Sequence, residues 1–199
     1  MAVDEWLMGV VKIPLLRIYG WDGEWGSLGY FSKLDEAVAD FPGLRFVRRW
    51  TGGGIVDHRE DWTYSLVIPN GGGGSDLKRG ESYRAIHEVL SGVLCKEGKL
   101  SELAGCLETD GGVCFKNPVE FDVMNASGDK IAGAAQRRGK TGLLHQGSVA
   151  SAQAGAERGK AFAASLAREW NEVALEPSAE ELSAFVNVKY GNRVWLERC

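Results

Sequence analysis

The chain has 199 residues, 44% hydrophobic and 25% charged, a size and balance that fit one globular domain with a sizeable core. Its net charge of −4 argues against general nucleic-acid binding, and no apolar run approaches the length of a bilayer span. The chain does not open with a basic segment and a long apolar run, and its four cysteines lack metal-binding spacing, so a cytoplasmic protein with reduced thiols is expected.

We read residues 1–199 as a single domain. Asp4 and Glu5 followed by Trp6, Leu7, Met8 and Val10 form a short opening helix or turn. Residues 15–19 read as a strand ending at Gly20, and 27–31 as a second strand or a tight bend. Residues 34–41 suit a short helix stopped by Pro42 and Gly43, and 45–48 alternate as a strand. Further on, Trp62, Tyr64, Leu66 and Ile68 share one face of a strand that Pro69 ends, and 70–74 form a glycine-rich connector.

Tyr83, Ile86, Leu90, Val93 and Leu94 recur at helical spacing, with Gly98 as the stop. His87 lies one position off this stripe and reads as a surface or boundary histidine; Cys95 reads as core filler. Residues 119–137 form a hairpin turning at 125–129, and 143–149 a third strand. The remainder is helical: Phe162, Leu166, Trp170 and Val173 repeat on one face, and Ser178 with Glu181 forms a capping box ahead of Leu182, Phe185 and Val186. The fold class is α+β with a mainly antiparallel or mixed sheet flanked by helices.

Chemistry concentrates in three places. Gly52, Gly53 and Gly54 interrupt a strand-like region, which fits a loop whose backbone bends tightly or approaches a ligand that a Cβ would block. Arg48, Arg49 and Thr51 precede it; His58 and Tyr64 follow. Cys114 sits in a glycine-rich loop, outside any apolar periodic element. Lys130 opens the returning hairpin strand opposite Met124, so it meets Cys114 only if the loop 110–118 doubles back over the sheet. Beside it, Ala132 and Gly133 are small, either to admit a ligand or to pack the sheet closely. The sequence Gly139-Lys140-Thr141 lacks the earlier glycine of a phosphate-binding loop and follows a strand, so that reading is rejected.

Taken together, Arg48-Arg49-Trp50-Thr51-Gly52-Gly53-Gly54-Ile55-Val56-Asp57-His58 with Tyr64-Ser65-Leu66 resembles the signature of the lipoate/octanoate transferase and lipoate–protein ligase superfamily. Cys114-Phe115 before Pro118, then Gly128-Asp129-Lys130-Ile131-Ala132-Gly133-Ala134-Ala135-Gln136-Arg137-Arg138, resembles its octanoyltransferase branch with an acyl-cysteine intermediate. The resemblance implies a fold like that of class II aminoacyl-tRNA synthetases and biotin synthetases. It implies Cys114 and Lys130 as catalytic groups. Arg48, Thr51, Gly52, Gly53, Gly54, His58, Tyr64, Ala132, Gly133, Gln136 and His145 would bind substrate. Relatives carry Gln-His-Gly-Ser where this chain has His145-Gln146-Gly147-Ser148, which turns the two side chains to opposite faces of the strand.

The activity implied is transfer of octanoyl from acyl carrier protein, through a cysteine thioester, to the lysine of lipoyl domains of 2-oxoacid dehydrogenases and of the glycine cleavage H protein. No cofactor, nucleic acid or membrane is implied, the octanoyl or lipoyl group being substrate. The basic run Arg137, Arg138 and Lys140 suits acidic partners. The alternatives are an ATP-dependent lipoate–protein ligase, a lipoyl amidotransferase and a non-catalytic acyl-binding module. Ligases carry an Asn-Asp pair near here that this chain lacks, and Glu120 is its acidic counterpart.

Overall fold

A computed structural model describes residues 1–99, 101–105, 118–150 and 156–198. In chain order the elements are α1 (Ala2–Val10), β1 (Leu15–Tyr19), β2 (Trp25–Leu28), α2 (Leu34–Asp40), β3 (Arg45–Arg48), β4 (Ile55–Asp57), β5 (Trp62–Pro69) and α3 (Arg79–Lys96). There follow β6 (Ser101–Leu103), β7 (Val123–Asn125), β8 (Lys130–Gly139), β9 (Gly142–Val149), α4 (Ala156–Leu166), α5 (Ala179–Phe185), one π turn (Val186–Tyr190) and α6 (Arg193–Glu197).

Six strands form one antiparallel sheet in the order β1-β5-β9-β8-β7-β6. A second sheet, β3-β2-β4, pairs β2 with β3 in parallel and with β4 antiparallel. The α+β class and the mainly antiparallel sheet follow the sequence reading.

The larger sheet is a middle layer, because its interior strand β5 buries both faces. Trp62, Tyr64, Leu66 and Ile68 point one way and pack on Ile86, Leu90, Val93 and Leu94 of α3 and Phe162 of α4. Val67 points the other way, with Leu144, onto Trp6, Leu7 and Met8 of α1. Leu90 and Leu94 are wholly buried, each contributing roughly 1.5–3 kcal/mol through area removed from water. The smaller sheet has its own core of Leu28, Ala37 and Ile55. Glu181 accepts from the Ser178 N–H, as the capping box requires, and also from Trp6 Nε1 at 3.1 Å, which docks α5 on α1.

Three expectations change. The hairpin strand begins at Val123 instead of 119, because the Asp122 carboxylate turns back to accept from the Val119 N–H at 2.8 Å and Phe121 adopts φ 69°. The α4 helix stops at Leu166, and the periodic residues beyond it meet no core: Trp170 is 41% and Val173 61% exposed. Cys95 is exposed, its sulfur against Ser101, instead of filling the core.

The glycine loop is held against the turn after β2. Gly29 N–H donates to Gly54 O at 3.0 Å and Tyr30 N–H to Thr51 O at 2.9 Å. A Cβ on Gly29 would lie 1.7 Å from Gly53 O, so no side chain fits between the two backbones. Gly29→Ala is therefore expected to destabilise the fold by about 1–3 kcal/mol, read as a lowered urea midpoint at unchanged slope.

Candidate active site

A cleft opens between the two sheets. From the six-stranded sheet it is lined by Lys130, Gly133, Ala134, Ala135, Gln146, Gly147 and Ser148, together with Tyr19 and Thr63. Ser27, Arg49, Val56 and His58 face them from the smaller sheet and its loops.

Lys130 pairs with Met124 across the hairpin, as the turn at 125–129 dictates, and its side chain is only 4% exposed. The ammonium lies 2.7 Å from Asp122 Oδ2. It passes directly over Gly133, where a Cβ would meet Lys130 Cε at 2.5 Å and Nζ at 2.7 Å. The small residue thus leaves room for the lysine. Asp122 Oδ1 accepts from the Tyr83 hydroxyl of α3 at 2.6 Å, and that hydroxyl accepts from the Ala134 N–H at 2.9 Å. Burial and the Asp122 charge push the Tyr83 phenol well up, so it remains a proton donor to Asp122. The acidic residue at the lysine is Asp122; Glu120 is exposed.

Successive residues of an extended chain face opposite ways, and this divides the arginine pair. Arg48 is fully buried and donates to the carbonyls of Gly29, Tyr30 and Ser32 on one side and of Trp195 and Leu196 on the other. The cleft receives Arg49, which donates to Ser27 O and to Gly52 O and Gly54 O at 3.0 and 2.9 Å. Thr51 Oγ1 donates to Gln146 Oε1 at 2.7 Å, and Gln146 Nε2 donates to Asp4 at 2.6 Å, tying loop, sheet and α1 together.

The same alternation sends four expected site residues to the helix side of the sheet. Ala132 lies in the core packed under α3 and α4. Gln136 Nε2 donates to His145 Nδ1 at 3.0 Å, leaving His145 Nε2–H for the Tyr64 hydroxyl at 3.1 Å. Burial, then the neighbouring His87, holds the His145 imidazole well below its usual pKa, and burial raises the Tyr64 phenol, so both stay neutral. Gln146, not His145, is the β9 side chain that lines the cleft.

His87 is a correction: it is completely buried instead of lying at the surface. Its Nδ1–H donates to Phe121 O at 2.7 Å, and the ring packs against Tyr83 and His145 with centroids at 4.2 and 5.4 Å. Four fully or nearly buried polar residues escaped the sequence reading as site groups: Ser27, Asp61, Asp122 and Tyr83. The one available signal was register, which sets Asp122 and Lys130 near each other across a short hairpin. Cys114, and with it the loop 110–117, lies outside the described residues.

Residues 1–175 match the lipoyl protein ligase A/B catalytic domain, and the chain belongs to that family. Among curated proteins it is 37% identical over 167 residues to octanoyltransferase LipM of Kyrpidia tusciae, covering 75% of this chain and 60% of that one. It is 31% identical over 166 residues to octanoyltransferase LipM of Staphylococcus aureus, with the same two coverages. The chain thus spans about 60% of the length of the curated relatives it matches.

In fold it resembles a chain of the Thermoplasma acidophilum lipoylation system, described as a bi-partite lipoate protein ligase and its E2 lipoyl domain, with TM-score 0.73 at 20% identity, covering 100% of this chain and 91% of that one. It also resembles lipoate-protein ligase A bound with ATP, with TM-score 0.79 at 19% identity, over 98% of this chain and 92% of that one. These likenesses establish the shared architecture.

Burial lowers the His87 pKa from 6.5 to about 4, outweighing the Phe121 carbonyl and Asp122, which favour the proton. Above pH 6.5 folded and unfolded chains both carry neutral imidazole. Between 6.5 and about 4 the unfolded chain binds a proton that the native state refuses, so stability falls on acidification, by about 3 kcal/mol over the window. His145 and His58, also held below 6.5, add to the same slope, so urea unfolding across this range should show their sum, and His87→Phe should lower it by the His87 share without abolishing it.

Proposed function

We propose that the chain forms the catalytic unit of an octanoyltransferase, moving octanoyl from an acyl carrier protein to the lysine of lipoyl domains of 2-oxoacid dehydrogenases and of the glycine cleavage H protein. It works in the cytoplasm without ATP or a resident cofactor. The observation that carries this reading is the lining of the cleft. Its sheet wall is Gly133, Ala134, Ala135 and Gly147, and the polar side chains around it are engaged with one another: Ser27 with His58, Thr63 and Ser148 with Asp61, Gln146 with Thr51. Such a cleft suits a plain hydrocarbon tail. Lys130 supplies a charge where a carbonyl would end that tail.

The steps balance without an external reagent. The Cys114 thiolate attacks the thioester carbonyl, the oxyanion is stabilised by the Lys130 ammonium, and the carrier thiolate leaves and takes a proton. The neutral amine of the acceptor lysine then attacks the Cys114 thioester; the amide forms, Cys114 departs as thiolate, and the amine proton passes to solvent. Asp122 and Tyr83 hold the ammonium in place for both steps. The relatives named octanoyltransferase support the same reading. Arg137 stacks on Trp50 at 4.2 Å and Arg198 on Tyr30 at 4.3 Å, and such guanidinium groups suit a carboxylate-bearing protein partner. Arg138 instead turns to Ser75 O and Ser82 Oγ.

Incubation with octanoyl carrier protein in the absence of nucleotide is expected to add one octanoyl mass to the chain. Cys114→Ala should abolish the adduct, and Lys130→Met should lower its rate of formation by about a hundred-fold or more. Modification that requires lipoate and ATP and survives Cys114→Ala would instead establish a ligase.

A further inference from the structure

Behind the glycine loop, a chain of hydrogen bonds crosses from one sheet to the other. Thr63 and Ser148, on β5 and β9, both donate to Asp61, the former to Oδ1 at 3.1 Å. Asp61 Oδ2 also meets His58 Nδ1 at 2.5 Å. His58 Nε2 lies 2.6 Å from Ser27 Oγ on β2. Ser27 Oγ accepts in turn from Arg49 Nη1 at 2.7 Å, and Arg49 Nη2 ends the chain on the carbonyls of Gly52 and Gly54. Trp21 stacks on the imidazole at 4.2 Å and 15°, and its Nε1 is fixed by Thr63 Oγ1 at 2.9 Å, so the ring is locked in plane.

One pattern of protons satisfies every link. Asp61 accepts, His58 carries its hydrogen on Nδ1, His58 Nε2 accepts from the Ser27 hydroxyl, and Ser27 accepts from Arg49. Ser27, His58 and Asp61 have the connectivity of an acyl-transfer triad. Yet Ser27 is completely buried and its oxygen already takes an Arg49 hydrogen, which leaves it unsuited to attack a carbonyl. The output of the chain is the hold of Arg49 on the loop.

We propose that Asp61 and Ser27, acting through His58 and Arg49, are positioning residues that fix the smaller-sheet wall of the cleft, where Arg49 and His58 lie, and the glycine loop that Arg49 holds, relative to the six-stranded sheet, and so set the width of the cleft. That the cleft holds an acyl group rests on the acyltransferase reading; the hydrogen-bond chain does not. A second proton on His58 would turn Nε2 into a donor, so that Ser27 would face two donors and two cations would share one hydroxyl. The groups facing His58 are Asp61 from the β4–β5 connection, Asp57 from β4, Arg49 after β3, Ser27 from β2 and the Trp21 ring. Burial, aided by Arg49, outweighs Asp61 and Asp57 and sets the imidazole below its usual 6.5. The chain is therefore intact at neutral pH and released as pH falls through that lowered value.

With only three histidines in the sequence, spectra of ¹⁵N-histidine-labelled protein resolve each ring. His58 is expected to be neutral at pH 7 with its hydrogen on Nδ1, to titrate below 6.5, and to carry the amide signals of Gly52–Gly54 with it at the same midpoint. Ser27→Ala should leave the His58 titration and abolish its echo in the loop. Asp61→Asn should raise KM for the octanoyl donor roughly ten-fold at pH 7 with a smaller change in kcat. A His58 hydrogen on Nε2 or a doubly protonated ring at pH 7 would overturn the proposal. So would loop amides indifferent to His58, or an unchanged KM in a folded Asp61→Asn. The spectra need no substrate: if they show the coupling and no octanoyl transfer occurs, it is the acyltransferase reading that fails.

Discussion

Buried guanidinium groups need acceptors on several sides, and irregular backbone supplies carbonyls that no ladder uses. Arg48 and Arg49 bring these two requirements together. Being adjacent at the end of an extended strand, they reach in opposite directions. Arg48 joins the turn after β2 to α6, and Arg49 joins β2 to the glycine triplet. The glycine triplet, which has no side chains of its own to anchor it, thereby acquires a fixed position. A lysine at either place would bring a compact charge without the planar fork that reaches several carbonyls at once.

The six-stranded sheet separates two polar systems. On the cleft side, Asp61, His58, Ser27 and Arg49 form one hydrogen-bonded chain, while Gln146 bonds Thr51 and Asp4. On the helix side, Tyr64, His145, Gln136 and His87 are packed among Trp62, Phe162 and Tyr83. Lys130 lies where the two sides communicate: it lines the cleft, while its carboxylate partner is held from behind by Tyr83 of α3. Buried ion pairs of this kind add little net stability, but they fix an ammonium in one place.

Local signals exposed most of the elements. Period-two alternation marked β5, period-three-to-four spacing marked α3, and Ser178 with Glu181 marked the start of α5. Faces were harder to read. Tyr64, Ala132, Gln136 and His145 follow the glycine and lysine motifs in order along the chain, but order does not say which side of a sheet a residue meets. The exchange of His145 and Gln146 did carry that information, through parity alone. Asp122 was hidden because residues 119–122 alternate like a strand, and only the return of its carboxylate to the Val119 N–H turns them into a bend. Asp61 was hidden because it joins its chain neighbours His58 and Thr63 to Ser148, 87 residues later, a pairing that no local pattern shows.

The sheet wall of the cleft has a further implication. Gly133, Ala134, Ala135 and Gly147 present peptide planes to a guest, and those planes are pinned by the β8–β9 ladder, with the Tyr64 ring directly behind Gly147. That stretch of the wall has no rotamers with which to adapt, and the Gln146 and Ser148 side chains beside it are held by hydrogen bonds. If the cleft holds an acyl guest as proposed, discrimination by length or girth would reside in the opposing wall of the smaller sheet and its loops, and variation in Val56, Ser27 or the residues that brace them would retune selectivity while the larger sheet stays the same.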